Sequence, residues 1–304
     1  MRRLVIGTRG SSLAMCQTQI VQTILEERFP ACHFDICTIK AQADRDPELS
    51  LTAMSGEGVF VKELEAALMD RRIDFAVHSM KDLPLDMPST LQIAAVMERE
   101  EPRDALVSRS GATLDELPRG ARVGTSSVRR RSQLLHHRGD LELLDIRGNV
   151  DTRLRKLDEG RFDAIVLAAC GLIRLSLESR ITAYLDLASM LPEPGQGALA
   201  VEARADDADV LEMLRSMDDP PSRACVEAER AFLRSLGGGC RVPIGAYASC
   251  RDETLQLEGA VIAADGHAQV RGNLSGPIDE PEKLGEQLAK ELVSRGARQL
   301  LSTA

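Results

Sequence analysis

The 304-residue chain has no apolar run long enough to cross a membrane. Its longest nearly uncharged stretch, residues 164–173, is ten residues, where a spanning helix needs about 20. It has no secretory signal pattern, because Gly7 and Arg9 follow Leu4-Val5-Ile6 before an apolar h-region can form. It has no excess of basic charge: 38 Lys and Arg against 47 Asp and Glu leave a net charge of −9. That balance argues against the basic footprint of a nucleic-acid binder. Its seven cysteines, Cys16, Cys32, Cys37, Cys170, Cys225, Cys240 and Cys250, contain no C-x-x-C pair. With no His-x-x-x-His companion, a zinc site or disulfide framework is not expected, and free thiols fit a reducing compartment. No P-loop, G-x-G-x-x-G fingerprint or Ser-His-Asp spacing is legible. The expectation is a water-soluble cytoplasmic protein without nucleic-acid or membrane partners and without a bound metal.

What is present is ordinary in bulk and uneven in detail. Apolar residues make up 43% and charged residues 28%, a globular composition. The length predicts two domains of about 100–200 residues, or three smaller ones. A chain of this size can bury about 75% of its unfolded surface without help from a disulfide or metal. Of the 38 basic residues, 32 are Arg and 6 are Lys. Residues 119–174 hold 12 of them, 11 being Arg, against 7 acidic residues. One cationic segment thus lies inside an acidic protein. The planar guanidinium fork matches carboxylate and phosphate; the alternative is a solvated helix face laced with ion pairs.

The pattern reads strand, turn, helix, and then restarts. Leu4-Val5-Ile6 is an apolar run ended by Gly7-Thr8-Arg9-Gly10, and Ser11 or Ser12 is placed to cap a helix carrying Leu13, Cys16, Ile20 and Ile24. A strand over 33–40, a polar loop over 41–58, a helix over 59–69 and a strand over 73–79 follow. Arg122-Val123-Gly124-Thr125-Ser126-Ser127 then echoes the opening, and Arg161-Phe162-Asp163-Ala164-Ile165-Val166 echoes Arg72-Ile73-Asp74-Phe75-Ala76-Val77. Cys170 is expected in the apolar strand, and His136 and His137 on a helix surface. Two similar α/β units are expected, with parallel sheets and ligands at the carboxyl ends of the strands. Residues 191–197 read as a Pro/Gly linker, followed by a helix over 206–217. After Pro220-Pro221 the pattern becomes a smaller α+β domain: a helix over 222–236, strands over 255–261 and 268–273 flanking a hairpin turn, and a helix over 281–300.

The chemistry-bearing residues collect at strand ends: Arg9; Lys81 and Asp82; Thr125, Ser126 and Ser127 with Arg129 and Arg130; and Arg147. Helix N-termini after Ser11 and Ser127 add backbone donors for anions. If the two units face each other, these groups line one cleft suited to a ligand with several carboxylates or phosphates. Asp82, the one carboxylate of that set, is placed to stabilise positive charge or to move protons; otherwise it caps a helix or pairs with Lys81. Cys240 follows Gly237-Gly238-Gly239 and precedes Arg241, a cation that would lower its pKa; otherwise it is an inert thiol in a turn.

At these motifs the chain resembles the porphobilinogen deaminase (hydroxymethylbilane synthase) family. The motifs are Gly7-Thr8-Arg9 with Ser11-Ser12-Leu13-Ala14; His78-Ser79-Met80-Lys81-Asp82-Leu83-Pro84; Val123-Gly124-Thr125-Ser126-Ser127-Val128-Arg129-Arg130; Arg147-Gly148-Asn149-Val150-Asp151-Thr152-Arg153-Leu154; Gly195-Gln196-Gly197-Ala198; and Gly238-Gly239-Cys240-Arg241-Val242-Pro243-Ile244-Gly245. The resemblance implies a transferase of tetrapyrrole biosynthesis. It condenses four porphobilinogen molecules head to tail with loss of ammonia and frees hydroxymethylbilane by hydrolysis. It implies a dipyrromethane cofactor held by a thioether to Cys240. Asp82 would be the catalytic carboxylate, stabilising azafulvene-like cations. Lys81, Thr125, Ser127, Arg129 and Arg130 would bind the cofactor, and Arg9, Ser11, Arg147, Arg153 and Arg174 the acetate and propionate groups of substrate. The implied fold is two periplasmic-binding-protein-like, doubly wound α/β domains, residues 1–97 with 198–215 and residues 103–191, plus a smaller α+β domain, residues 220–304. A monomer is implied too. One departure is Glu57, where relatives usually carry a basic residue.

Three other readings stay open at this level. A non-catalytic two-lobed anion-binding protein explains the arginines but neither Asp82 nor the Gly-Gly-Cys loop. An effector-binding module of a regulator would normally follow a helix-turn-helix, and none precedes Leu4. A cysteine hydrolase would need a histidine beside Cys240.

Overall fold

The computed structural model describes residues 2–39, 61–239 and 242–302. The 41–58 loop, Glu57, Cys240 and Arg241 lie outside the described residues. The chain divides into two compact units, one of Met1–Arg99 with Ala198–Pro220 and the other of Glu100–Gly197 with Pro221–Ala304.

The first unit is built from β1 (Arg2–Thr8), α1 (Ser12–Arg28), β2 (Cys32–Thr38), α2 (Lys62–Met69), β3 (Phe75–Ser79), a 3₁₀ turn (Met80–Asp82) and β4 (Leu91–Val96). The second unit continues with β5 (Asp104–Ser108), β6 (Arg122–Gly124), α3 (Val128–His137), β7 (Glu142–Leu144), α4 (Val150–Asp158), β8 (Ala164–Ala168), α5 (Ala169–Arg174) and β9 (Ala183–Tyr184). The chain then returns to the first unit as β10 (Leu199–Arg204) and α6 (Ala208–Arg215). It ends with α7 (Pro220–Ser235), β11 (Ile244–Arg251), β12 (Thr254–Ile262), β13 (Gln269–Pro277), α8 (Pro281–Ser294) and α9 (Ala297–Ser302).

Two five-stranded sheets share one order, β2-β1-β3-β10-β4 and β7-β6-β8-β5-β9, beside a three-stranded sheet β11-β12-β13. The α/β class with a smaller C-terminal sheet is the one expected from the sequence. The sheets are mixed, however, not parallel. β10 runs antiparallel to β3 and β4, and β5 runs antiparallel to β8 and β9. In each sheet the reversed strand is the one through which the chain arrives from the other unit. No crossover helix precedes it, so nothing imposes the parallel direction.

Alternation along the strands feeds a core on each face. Leu4, Ile6, Phe75 and Val77 pack under α1 and α6, while Val5 and Ala76 pack under α2. In the second unit Leu106, Val123 and Val166 meet Leu134 of α3, while Val107, Ile165 and Leu167 meet Leu154 and Leu157 of α4. Such two-sided burial needs strands that are nearly all apolar.

The two sequence echoes are structural equivalents. Gly7 pairs with Ala76 and Gly124 with Ile165. Asp74 accepts from Val5 N–H at 2.7 Å, as Asp163 accepts from Arg122 N–H at 2.9 Å. A Cβ on Gly7 would lie 2.2 Å from Ile73 Cδ1, and one on Gly124 would lie 3.0 Å from Phe162 Cδ1. At both positions a Cβ would crowd the side chain that enters the next strand.

Two local expectations are corrected. Cys170 lies in the first turn of α5 rather than in β8, because the Ala-rich stretch after Ala168 continues as helix. The final helix is interrupted at Arg295 and Gly296, where Gly296 turns out of helical conformation with φ 98°.

Candidate functional site

Because β1 and β3 are parallel, their carboxyl ends lie on one edge of the first sheet. Arg9 follows β1, and Ser11 caps α1 by accepting from Ala14 N–H at 3.2 Å. Lys81 and Asp82 occupy the 3₁₀ turn directly after β3. Four contacts fix that turn. Met80 N–H donates to Ala198 O at 3.0 Å, and Leu83 N–H donates to Met80 O at 3.2 Å. Gln17 Nε2 on α1 donates to Ser79 Oγ at 2.9 Å, while His78 Nε2 lies 3.0 Å from Glu202 Oε2 of β10. Met80 and Leu83 are buried on either side of the half-buried Lys81 and Asp82. The carboxylate thus stands at a strand end on buried anchors.

The His78–Glu202 contact is itself buried, and it adjoins Glu65 of α2. Burial first, and the neighbouring Glu202 second, push the Glu65 carboxyl up. Sequence reading quoted His78 as part of a motif without a role and did not single out Glu65 or Glu202.

In the second unit the carboxyl ends of β6, β7 and β8 share an edge with the start of the reversed β5. Thr125 is fully buried and its hydroxyl accepts from Ser127 N–H at 3.3 Å. Ser127 caps α3 by accepting from Arg130 N–H at 3.4 Å. Arg129 and Arg130, in the first turn of α3, point inward and converge on Asp104, the first residue of β5. Arg129 Nη1 donates to Asp104 Oδ2 at 2.8 Å, and Arg130 Nη2 donates to Oδ1 at 2.7 Å. Gln196 Nε2 adds a bond to Oδ1 at 2.9 Å. Burial opposes ionisation of Asp104, yet the two guanidinium groups hold its carboxyl well below the usual carboxylate range.

Asp104 does not engage every donor of this pair. Arg129 Nε and Nη2 are buried with no acceptor among the described residues. Arg153 of α4 is pushed down to about 10 by burial and by the neighbouring Arg130. Arg153 Nε donates to Gly148 O at 2.7 Å, Arg147 O accepts from Lys156 Nζ at 3.0 Å, and Arg174 Nη2 donates to Gly197 O at 2.6 Å. The result is a buried guanidinium with uncommitted donors in a partly desolvated setting, which favours an anion presenting several acceptor oxygens. Dipyrromethane, each of whose pyrroles carries two carboxylates, fits that donor set. Among the described residues there is no group of three His, Cys, Asp or Glu arranged to hold a metal ion.

Of the residues the sequence singled out, the first unit holds Arg9, Ser11, Lys81 and Asp82. The second holds Thr125, Ser127, Arg129, Arg130, Arg147, Arg153 and Arg174. Sequence reading missed Asp104 and gave Gln196 no role. Gln196 had a signal, since it lies in the quoted Gly195-Gln196-Gly197-Ala198 motif. Asp104 had none.

Comparison with known proteins shows the family. The family profile described as "Porphobilinogen deaminase, dipyromethane cofactor binding domain" matches residues 4–212, and "Porphobilinogen deaminase, C-terminal domain" matches residues 223–294. A porphobilinogen deaminase of Desulforudis audaxviator is 52% identical over 301 residues, covering 99% of this chain and 97% of its own. One of Thermus thermophilus is 48% identical over 303 residues, covering 99% of each. Among solved structures, the VFT2 domain of Bordetella pertussis BvgS is similar at 15% identity and a TM-score of 0.42, covering 71% of this chain and 85% of that one. An arginine-specific periplasmic binding protein of Salmonella typhimurium is similar at 13% identity and a TM-score of 0.41, covering 73% and 94%. The structural likenesses are too distant to bear on function. The sequence matches span both units, so the chain belongs to the porphobilinogen deaminase family.

Proposed function

We propose that the chain is a hydroxymethylbilane synthase: it joins four porphobilinogen molecules head to tail with release of ammonia, then frees hydroxymethylbilane by hydrolysis. The observation that carries this reading is the buried arginine set, which has more donors than its own carboxylate can accept. Every pyrrole added brings two further carboxylates, so the reaction calls for such a surplus.

When bound, dipyrromethane supplies the primer on which the pyrrole chain is built. Lys81, Thr125, Ser127, Arg129 and Arg130 are the residues we assign to holding it, with Cys240, outside the described residues, as its point of attachment. Arg9, Ser11, Arg147, Arg153 and Arg174 are assigned to the acetate and propionate groups of the substrate. Asp82 is assigned the catalytic role. Its carboxylate accepts from pyrrole N–H, offsets the positive charge that develops on the substrate as ammonia leaves, and can take the proton released when the new bond forms. Its setting between buried Met80 and Leu83 supports that role, because a fixed charge needs no reorganisation as charge develops.

We further read the chain as three domains, residues 1–97 with 198–215, 103–191 and 220–304. Three separate sheets support this division. The cytoplasmic, monomeric state is likewise our reading, drawn from the family; no described helix is long and apolar enough to cross a membrane. The deciding experiment is the intact mass of the purified protein beside Cys240→Ser, followed by incubation with porphobilinogen. A mass excess of two pyrrole units that is absent from the variant, with ammonia release by the wild type, is the expected result. An unmodified wild type that gains neither adduct nor ammonia overturns the reading in favour of an anion-binding protein.

A further inference from the structure

Asp104 is a carboxylate that the proposed chemistry does not use, yet it is tightly held. Its side chain is fully buried and accepts four hydrogen bonds: from Arg129 Nη1 at 2.8 Å, Arg130 Nε at 3.1 Å, Arg130 Nη2 at 2.7 Å and Gln196 Nε2 at 2.9 Å. The geometry sorts the two arginines. Arg130 spends Nε and Nη2 on Asp104 and Nη1 on Val166 O at 3.2 Å. Arg129 spends only Nη1, shared between Asp104 and Leu191 O at 2.6 Å. Arg129 Nε and Nη2 stay uncommitted among the described residues. The uncommitted donors sit on the guanidinium that Asp104 grips from one end.

Gln196 extends this grip. Its second amide hydrogen goes to Pro102 O at 2.7 Å. It lies between Gly195 and Gly197, whose φ values of 78° and 94° are left-handed. Gly195 N–H donates to the buried Glu229 at 2.7 Å, and Gly197 O accepts from Arg174. The amide therefore ties Asp104 to the chain segment that leads into β10.

We propose that Asp104 is a positioning residue. It presets Arg129 and Arg130 as a rigid pair, aims the uncommitted edge of Arg129 at an acidic group of the ligand, and is held in register by Gln196. The inference rests on the reading that this pair holds carboxylates of the anchored dipyrromethane, the primer to which each porphobilinogen is joined. Preorganised donors lose less on binding than mobile ones do, so loosening the pair raises KM more than it lowers kcat.

The experiment uses the holo-protein with porphobilinogen and compares Asp104→Asn, Gln196→Met and Arg130→Lys by melting temperature, intact mass and steady-state kinetics. Asp104→Asn is expected to raise KM by about tenfold or more with kcat within about threefold, and Gln196→Met to raise KM by about threefold with a melting temperature near wild type. Asp104→Glu, which restores the charge, is expected to recover part of the loss. If Arg130→Lys raises KM but Asp104→Asn and Gln196→Met do not, the positioning role is overturned while the binding role of the arginines stands. If none of the three changes KM, the binding role falls and takes the proposal with it. Should Asp104→Asn fail to fold, Gln196→Met decides alone, since it leaves both ion pairs in place: an unchanged KM overturns the proposal.

Discussion

The two five-stranded sheets have the same order and the same reversed strand, yet corresponding strand ends carry different charged groups. The register makes the comparison direct. Ser79, the last residue of β3, pairs with Leu199, and Ala168, the last residue of β8, pairs with Asp104. One unit thus places a buried leucine where the other places a buried carboxylate. Beside Leu199 the chain turns into Lys81 and Asp82, a half-buried pair that stays near water. Beside Asp104 two arginines turn inward and are dehydrated. The buried carboxylate is met by two guanidinium groups, whereas the apolar residue at the same register has a half-buried Lys-Asp turn beside it.

The largest test of this contrast is Asp82→Asn, expected to lower turnover by about 10²–10⁴-fold while the melting temperature stays near wild type. A calorimetric scan beside a rate assay separates the two quantities. Leu199→Asp would copy the second unit's carboxylate into the first without its cations. An unpaired buried charge costs about 3–5 kcal/mol, so denaturant unfolding should show the first unit lost well before the second. Next come the paired glycines. Gly7→Ala must displace Ile73 Cδ1, which is 2.2 Å from the new atom, whereas Gly124→Ala meets Phe162 Cδ1 at 3.0 Å. Overpacking of this kind costs about 1–3 kcal/mol, and the first substitution should be the more costly by urea titration.

Acid unfolding probes Asp104 itself. Its folded pKa lies below the unfolded value of about 3.9, so its contribution is complete above that pH and is lost as pH falls through it. The melting temperature of wild type should therefore drop steeply below about pH 4, and Asp104→Asn should lack that part of the slope. The smallest effect concerns Arg153, whose charged form is disfavoured by burial and by Arg130, which lower it to about 10. Folding is easier without that charge at neutral pH. Arg153→Met should then raise the melting temperature of the unliganded protein by about 1–3 °C while weakening binding of porphobilinogen.

What the sequence revealed follows from distance along the chain. The strand, Gly turn and capped helix at Gly7 and at Gly124 were legible because the controlling residues are neighbours. Asp82 was legible as a candidate because it is the one carboxylate among the charged groups that follow the strands. Asp104 was not, because its partners lie 25, 26 and 92 residues away and Arg103-Asp104 reads locally as a surface ion pair. β10 was missed as a strand for a related reason. Its sequence Leu-Ala-Val-Glu-Ala-Arg ends a Pro/Gly linker and holds two charged residues, yet all six positions are buried. Glu202 meets His78, and Arg204 Nη1 donates to Ile73 O at 2.6 Å. Tertiary partners make those charges compatible with a central strand, and no local pattern announces them. Cys240, Arg241 and Glu57 were singled out by sequence and lie outside the described residues.

The position of β10 also orders the birth of the molecule. β10 lies between β3 and β4 in the first sheet, but it is encoded after every strand of the second. As the chain leaves the ribosome, the second sheet holds all its strands once residue 184 has emerged, while the first still has a gap at its reversed strand until residue 204. The half that begins the protein is therefore the later of the two α/β halves to close, and its long-range pairing sets the slower clock. During that interval β3 and β4 expose unpaired edges, and the turn bearing Asp82 lacks its bond from Met80 N–H to Ala198 O. The carboxylate assigned to catalysis is set in place only after the arginine-rich half already has its full complement of strands.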